Sequence, residues 1–344
     1  MNNIKWEIEP IDLYLKYTWK LSRNETDVKT NFIVKATCDR HTGYGEVAPN
    51  IRFDETPALI QTEFEGFLAA LPIDAGKEET INLIQSGKFS QSLRCGLDVA
   101  FHHLMARTEQ NTISSYFELP APAAITTAYT IPVMDPADIQ PFADQWNLNQ
   151  FPVWKVKIAR DSGLDALKEV VRISEKQLIV DPNEAMADVE ELIQMMEKLK
   201  NKPIVFFEQP MPAELTEEYL YLKKHATFEV FADESITADP DWDFIGRAFD
   251  GVNVKMQKAG GYAKSSSMLK KAKELGLKTM IGCMVETTLG IGSAMQIAGI
   301  ADYWDLDSFM IINNEPFHQI SCENGVLHLA NSFPFSVNFN NKSV

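Results

Sequence analysis

Five short stretches decide the fold: Val153-Trp-Lys155-Val-Lys157-Ile158, Gln177-Leu-Ile-Val180-Asp181, Ile204-Val-Phe-Phe207-Glu208, Glu229-Val-Phe-Ala232-Asp233 and Val252-Asn-Val254-Lys255. Each is a mainly apolar run of strand length that carries or ends on charge, and each lies about one βα unit from the next. Amphipathic stretches fill the gaps. Val189, Leu192, Ile193, Met196 and Leu199, for example, fall on one helical face. Strand alternating with helix at this pitch predicts a parallel sheet. Working outward, Thr127–Val133 precedes the five, and Thr279–Ile281 and Tyr303–Asp305 follow. Eight strands suggest closure into a barrel; an open doubly wound sheet is the alternative.

Upstream of about residue 120 the texture changes. Ile4–Leu21, Asn31–Cys38 and Tyr44–Val47 alternate in the manner of antiparallel strands, with a polar turn at Asp39–Gly43. Two helical stretches are expected next, about Thr56–Leu71 and about Glu78–Thr108, and Leu119-Pro-Ala-Pro-Ala marks a boundary.

Composition narrows the function. The 344 residues are 45% hydrophobic, enough for a sizeable core, and carry a net charge of −16. So acidic a chain repels phosphate backbones and anionic lipid, which argues against nucleic-acid and membrane partners. No apolar run is long enough to span a bilayer, and the start shows no secretion signal. Cys38, Cys95, Cys283 and Cys322 are scattered and read as reduced thiols. A cytoplasmic enzyme is the expectation.

In a parallel barrel every C-terminal strand end opens on one face. Asp181, Glu208 and Asp233 should therefore converge there, flanked by Lys155 and Lys157 on one side and Lys255 on the other. Residues 155 and 157 share a face because strand side chains alternate. Three carboxylates without His or Cys suit a hard divalent cation such as Mg²⁺. Without one they repel, and at least one is pushed toward protonation. A lysine beside such a cation can take a proton from carbon next to a carboxylate, with the cation stabilising the enediolate.

The motifs Lys155-Val-Lys157, Val180-Asp-Pro-Asn183, Phe207-Glu-Gln-Pro210, Ala232-Asp-Glu-Ser235 and Val254-Lys-Met-Gln-Lys258-Ala-Gly-Gly261 resemble the muconate-lactonizing subgroup of the enolase superfamily, and Gly43-Tyr-Gly-Glu-Val-Ala-Pro49 looks like the end of its capping sheet. The resemblance implies a (β/α)7β modified TIM barrel over 119–315. An α+β capping domain over 1–118, completed by about 316–344, would cover it. One Mg²⁺ per subunit would be held by Asp181, Glu208 and Asp233. Lys157 and Lys255 would be the acid/base pair on opposite substrate faces and Lys155 an electrostatic helper, with Asn183, Glu234 and Lys258 in support.

Within that family, Asp305-Leu-Asp307 at the eighth strand end is similar to the dipeptide epimerases of the L-Ala-D/L-Glu type, where two aspartates hold the substrate's α-ammonium. Cys283 and Met284, after the seventh strand, would line the same pocket. The loops Thr18–Thr26 and Asn50–Thr56 would close over it. By resemblance Arg23 would read a substrate side chain, and Arg52 and Phe53 lie in the second loop. The implied partner is a small dipeptide, and assembly into a homo-oligomer is compatible with this. Epimerisation would invert the α-carbon of the C-terminal residue by two-lysine 1,1-proton transfer. The alternatives are a cycloisomerase, an o-succinylbenzoate synthase-type lyase or an N-acylamino acid racemase. Leu289-Gly-Ile-Gly292 lacks the full dinucleotide fingerprint, and His102-His103 reads as packing or surface exposure rather than metal ligation.

Overall fold

The computed structural model describes residues 4–20, 25–120, 124–331 and 333–334. Strands β1 (Lys5–Lys20), β2 (Glu25–Cys38) and β3 (His41–Val47) form an antiparallel sheet in that order. Helices α1 (Pro57–Ala70), α2 (Lys77–Ser86), α3 (Gln91–Glu109) and α4 (Ile113–Tyr116) follow. Alternation puts Phe32, Val34, Ala36 and Cys38 on one face of β2. There they pack with Val47 and with Leu93, Leu97, Ala100 and Leu104 of α3. Two glycines make that approach possible. A Cβ on Gly43 would stand 2.0 Å from the Ala100 carbonyl oxygen, and one on Gly45 2.1 Å from that of Gly96. The single helix expected over Glu78–Thr108 is two helices. Gly87 ends α2, and the Arg94 guanidinium donates to the carbonyls of Ile84 (2.6 Å) and Gly87 (2.7 Å), holding the corner between them.

Next come β4 (Ile125–Thr126) and the eight strands of a parallel sheet: β5 (Tyr129–Ile131), β6 (Val153–Lys157), β7 (Gln177–Asp181), β8 (Ile204–Glu208), β9 (Glu229–Ala232), β10 (Gly251–Lys255), β11 (Lys278–Gly282) and β12 (Tyr303–Asp305). They neighbour one another in chain order. The Ala128 N–H donates to the Trp304 carbonyl at 3.0 Å and the Leu306 N–H to Thr127 Oγ1 at 2.9 Å, so the edges meet and the sheet is a nearly closed barrel. The expected barrel stands, and the open sheet does not. Helices α5 (Pro136–Gln145), α6 (Gly163–Ile173), α7 (Val189–Leu199), α8 (Thr216–His225), α9 (Trp242–Ala248), α10 (Met256–Ala259), α11 (Tyr262–Glu274) and α12 (Thr288–Met295) complete the wheel. Inside the barrel Phe206 and Phe231 stack with centroids 3.8 Å apart, packed with Ala128, Ile179 and Met280. This layer plugs the barrel below the site.

Register levels the strand ends. Lys157 pairs with Asp181, Lys255 with Gly282, and Gly282 with Asp305. The hairpin β13 (Ile320–Glu323) and β14 (Val326–Leu329) pairs with β4, while Phe317 and Phe333 pack with Ile33 and Leu289 between sheet and barrel. His103 is buried, between the Tyr44 carbonyl (2.7 Å) and the Tyr262 hydroxyl (2.8 Å), as packing rather than ligation requires. Among the described residues no helix is long and apolar enough to cross a membrane.

Candidate active site

The cleft lies over the C-terminal strand ends, between barrel and capping sheet. Residues of both line it: Trp19, Thr26 and Asn50 from the cap side, Lys155, Asp233 and Asp307 from the barrel. Lys155, Lys157, Asp233 and Lys255 line its floor, with Asp181 and Glu208 fully buried against Lys155, and none of the six is more than 8% exposed. Lys155 Nζ stands 2.8 Å from Glu208 Oε2, 2.8 Å from Asp305 Oδ2 and 3.1 Å from Asp181 Oδ2. Lys157 Nζ donates to Asp181 at 2.8 Å and to Asn183 Oδ1 at 2.7 Å. Across the floor, Lys255 Nζ lies 2.9 Å from Asp233 Oδ2, and Lys258 grips the other oxygen of that carboxylate.

Opposing forces set the charges. Burial alone would raise Asp181 and Asp233, but the lysines around each overturn that and hold both below the usual carboxylate range. Glu208 goes the other way. Burial, with repulsion from Asp181 and Asp233, pushes it up to about 8 against the pull of Lys155. The upward push expected of clustered carboxylates thus falls on Glu208. Burial and the charge of Asp233 raise Glu234, in the cleft wall, to about 7. Burial would lower Lys155 and Lys255, yet surrounding carboxylates raise both.

The turns after the acidic strand ends are unusual. Asn183 (φ 46°) and Gln209 (φ 36°) adopt the left-handed region without being glycine. Such residues concentrate at functional sites and persist where neighbours fix them. The Asn183 N–H donates to Asp181 Oδ1 at 2.9 Å. Gln209 Oε1 accepts from the N–H groups of Asp233 (2.8 Å) and Ser235 (2.9 Å), tying one strand end to the next. Asn253 donates to Glu208 Oε1 at 2.8 Å. Gln209 and Asn253 were not singled out from sequence, although a buried amide inside an apolar strand, as at Asn253, is a signal of its own.

Asp305 and Asp307 flank the eighth strand's exit. Asp305 is engaged by Lys155, whereas Asp307 accepts the Thr130 N–H at 2.6 Å and pairs with no cation among the described residues. Burial, with the charge of Asp305, pushes Asp307 up to about 7. Thr130, from the first strand, is a further residue the sequence reading missed. Cys283 and Met284 line the cleft. So do Trp19 and Thr26 from the β1–β2 hairpin and Asn50, Arg52 and Phe53 from the turn after β3. Arg23 lies outside the described residues.

Among the described residues no three Asp, Glu, His or Cys side chains converge in metal-binding geometry, because ammonium groups stand between the carboxylates. The donor set nevertheless suits a hard cation. It is all carboxylate oxygen on adjacent strand ends, and the buried Glu208 Oε2 has the Lys155 ammonium, 2.8 Å away, as its neutralising partner. Lys155 provides the charge neutralisation that such an ion would take over.

Residues 138–331 match the family model "Enolase C-terminal domain-like". An L-Ala-D/L-amino acid epimerase of Pedosphaera parvula is 33% identical, over 94% of this chain and 95% of its own. Another, of Flavobacterium johnsoniae, is 28% identical over 95% and 97%. The crystal structure of a dipeptide epimerase from Enterococcus faecalis, complexed with Mg and L-Leu-L-Tyr, superposes with a TM-score of 0.88 at 22% identity, covering 96% of this chain and 98% of that one.

Proposed function

We propose, for a chain that belongs to the enolase superfamily and is an isomerase of the epimerase and racemase kind, inversion of the C-terminal α-carbon of a dipeptide. One observation carries the reading. Lys157 and Lys255 stand against different aspartates, Asp181 and Asp233, and the same cleft holds Asp307, a buried acid without a cation partner among the described residues.

The substrate's terminal carboxylate would meet Asp181, Glu208 and Asp233, an encounter that repels unless a cation lies between. These three would hold Mg²⁺, which supplies Lewis-acid stabilisation of the charge that develops as the α-proton leaves. Lys157 and Lys255, working from opposite faces, would divide the proton transfers. The one that is neutral removes the α-proton, and the other, as ammonium, returns one to the opposite face. Lys155 adds positive charge beneath the reacting carboxylate. Asp305 and Asp307 would orient the α-ammonium through charge-assisted hydrogen bonds. Trp19, Arg52 and Phe53 cover the cleft and limit water. An acid without an amine would leave Asp307 facing no cation, which sets this reading above a cycloisomerase, a succinylbenzoate-forming lyase or an N-acylamino acid racemase.

The test is a dipeptide panel incubated in D₂O and read by mass spectrometry. Every epimerised member gains one deuteron, and EDTA stops the gain until Mg²⁺ is restored. Turnover that survives chelation overturns the metal. Faster exchange on N-acyl amino acids than on any free dipeptide overturns the substrate class.

A further inference from the structure

Gln257 follows Lys255 by two residues, in the short turn α10, and is 3% exposed. Its amide is fully used across three segments. Oε1 accepts the N–H of Ala48 at 3.0 Å; Nε2 donates to the carbonyl of Glu46 at 3.1 Å and to Glu286 Oε2 at 2.9 Å. Glu46 and Ala48 belong to the end of the capping sheet, and Pro49 to Phe53, the cleft's roof, follow directly. Glu286 ends the loop that supplies Cys283 and Met284, and its other oxygen accepts the Met284 N–H at 2.9 Å. The sheet grips that loop as well. The Glu46 carboxylate accepts from the N–H groups of Thr287 and Gly290, both at 3.0 Å, and the Asn31 amide donates to the Val285 carbonyl at 2.8 Å. The turn that presents Lys255 is therefore keyed into the cap by a buried side chain, alongside the Tyr262 N–H that follows it and donates to Asp98 of α3 at 2.6 Å. Among the described residues Lys157 donates to Asp181 and Asn183, on the neighbouring barrel strand and its exit, and the cap meets that exit through the part-exposed Arg52 on Glu184 rather than through a buried amide.

We propose that Gln257 is a positioning residue that locks the Lys255 side of the site, and not the Lys157 side, to the docked capping sheet. The inference rests on the two-lysine reading above. A buried amide cut from three partners leaves a donor and acceptors unmade, so the turn must shift to satisfy them. Lys255, which caps its N-terminus, shifts with it. Small misplacements of an acid/base group are costly because transfer needs the reacting atoms near contact.

The experiment follows α-deuterium exchange separately on the two stereoisomers of one reactive dipeptide. Lys255→Arg identifies the isomer served by Lys255, the one whose exchange it abolishes. In Gln257→Leu, exchange on that isomer should fall by tenfold or more, while exchange on the other stays within about twofold of wild type. Glu286→Gln, which removes the charged acceptor and keeps the shape, should give the same bias at smaller amplitude, and it carries the test if Gln257→Leu does not fold. Combining Gln257→Glu with Glu286→Gln reverses donor and acceptor and should restore part of the lost exchange. A purely structural role would lower both isomers alike. Equal losses on the two faces, or no loss, overturn the inference while the two-lysine reading survives. Wild-type enzyme that exchanges neither isomer overturns both.

Discussion

The floor of the cleft and its roof are built differently. The floor is a ring of strand ends in fixed register whose charged groups are buried and engage one another at 2.8–3.1 Å. The roof is a hairpin end and a single turn, Ile51–Phe53, with Ile51 70% exposed. It reaches the barrel chiefly through Arg52, whose guanidinium meets Glu184 at 3.0 and 3.1 Å and Glu214 at 3.4 Å. Rigid elements suit groups that must meet a reacting atom within fractions of an ångström, and loosely held ones suit admission and release. Chemistry should then depend on the floor and affinity on the roof.

The largest expected effect tests the floor. Lys157→Ala and Lys255→Ala should each lower epimerisation by about a hundredfold or more, the usual worth of an acid/base group, as followed by chiral chromatography. Each should retain exchange on one isomer only. A variant that still epimerises at the wild-type rate removes its lysine from the mechanism.

This contrast also explains what the sequence could disclose. Lys155, Lys157, Asp181, Glu208, Asp233 and Lys255 were legible because each ends an apolar run and parallel strands bring such ends together. The eight strands were legible for the same reason of periodicity. The break at Gly87 was not, since apolar spacing runs through α2 and α3 while the corner depends on Arg94 reaching back to carbonyls. Gln257 and Thr130 were opaque because their roles lie in contacts between segments far apart in the chain: Gln257 with Glu46, Thr130 with Asp307. The roof was legible only as loop positions, for a loop's partners are set by tertiary docking.

A second, smaller effect concerns the wall between floor and roof. Asp307 should favour a free α-ammonium by roughly 1.5–3 kcal/mol, so an N-acetylated dipeptide should react at least about tenfold more slowly. The preference has a pH sign. Pushed up to about 7 in the free enzyme, Asp307 is largely a neutral acid below that pH and a carboxylate above it. Discrimination against the acetylated substrate should therefore grow as pH rises from about 6 to about 7, above which deprotonation of the substrate's own α-ammonium, near 8, works against it, and Asp307→Asn should flatten the rise. Competition assays across that range decide the point, and a pH-independent ratio in wild type would separate Asp307 from ammonium recognition.

The smallest effect belongs to the roof. Arg52 is a third exposed while Glu184 is nearly buried, so the pair is worth more than a surface ion pair yet is screened on one side. A net worth of about 1 kcal/mol corresponds to roughly a fivefold change in an equilibrium. In Arg52→Met, KM should rise by about three- to tenfold with kcat within about twofold, because the roof holds substrate without touching the α-carbon. Part of that rise would come from Glu184, which keeps the Ala213 N–H but loses the guanidinium charge, rather than from an opened roof. Adding Glu184→Gln separates the two: recovery of KM in the double variant assigns the loss to the Glu184 charge, and persistence assigns it to the roof. Raising the ionic strength should move wild-type KM toward that of Arg52→Met, because one side of the pair faces water. A collapse of kcat in Arg52→Met would instead place the roof inside the chemical step and end the division between a floor that reacts and a roof that retains.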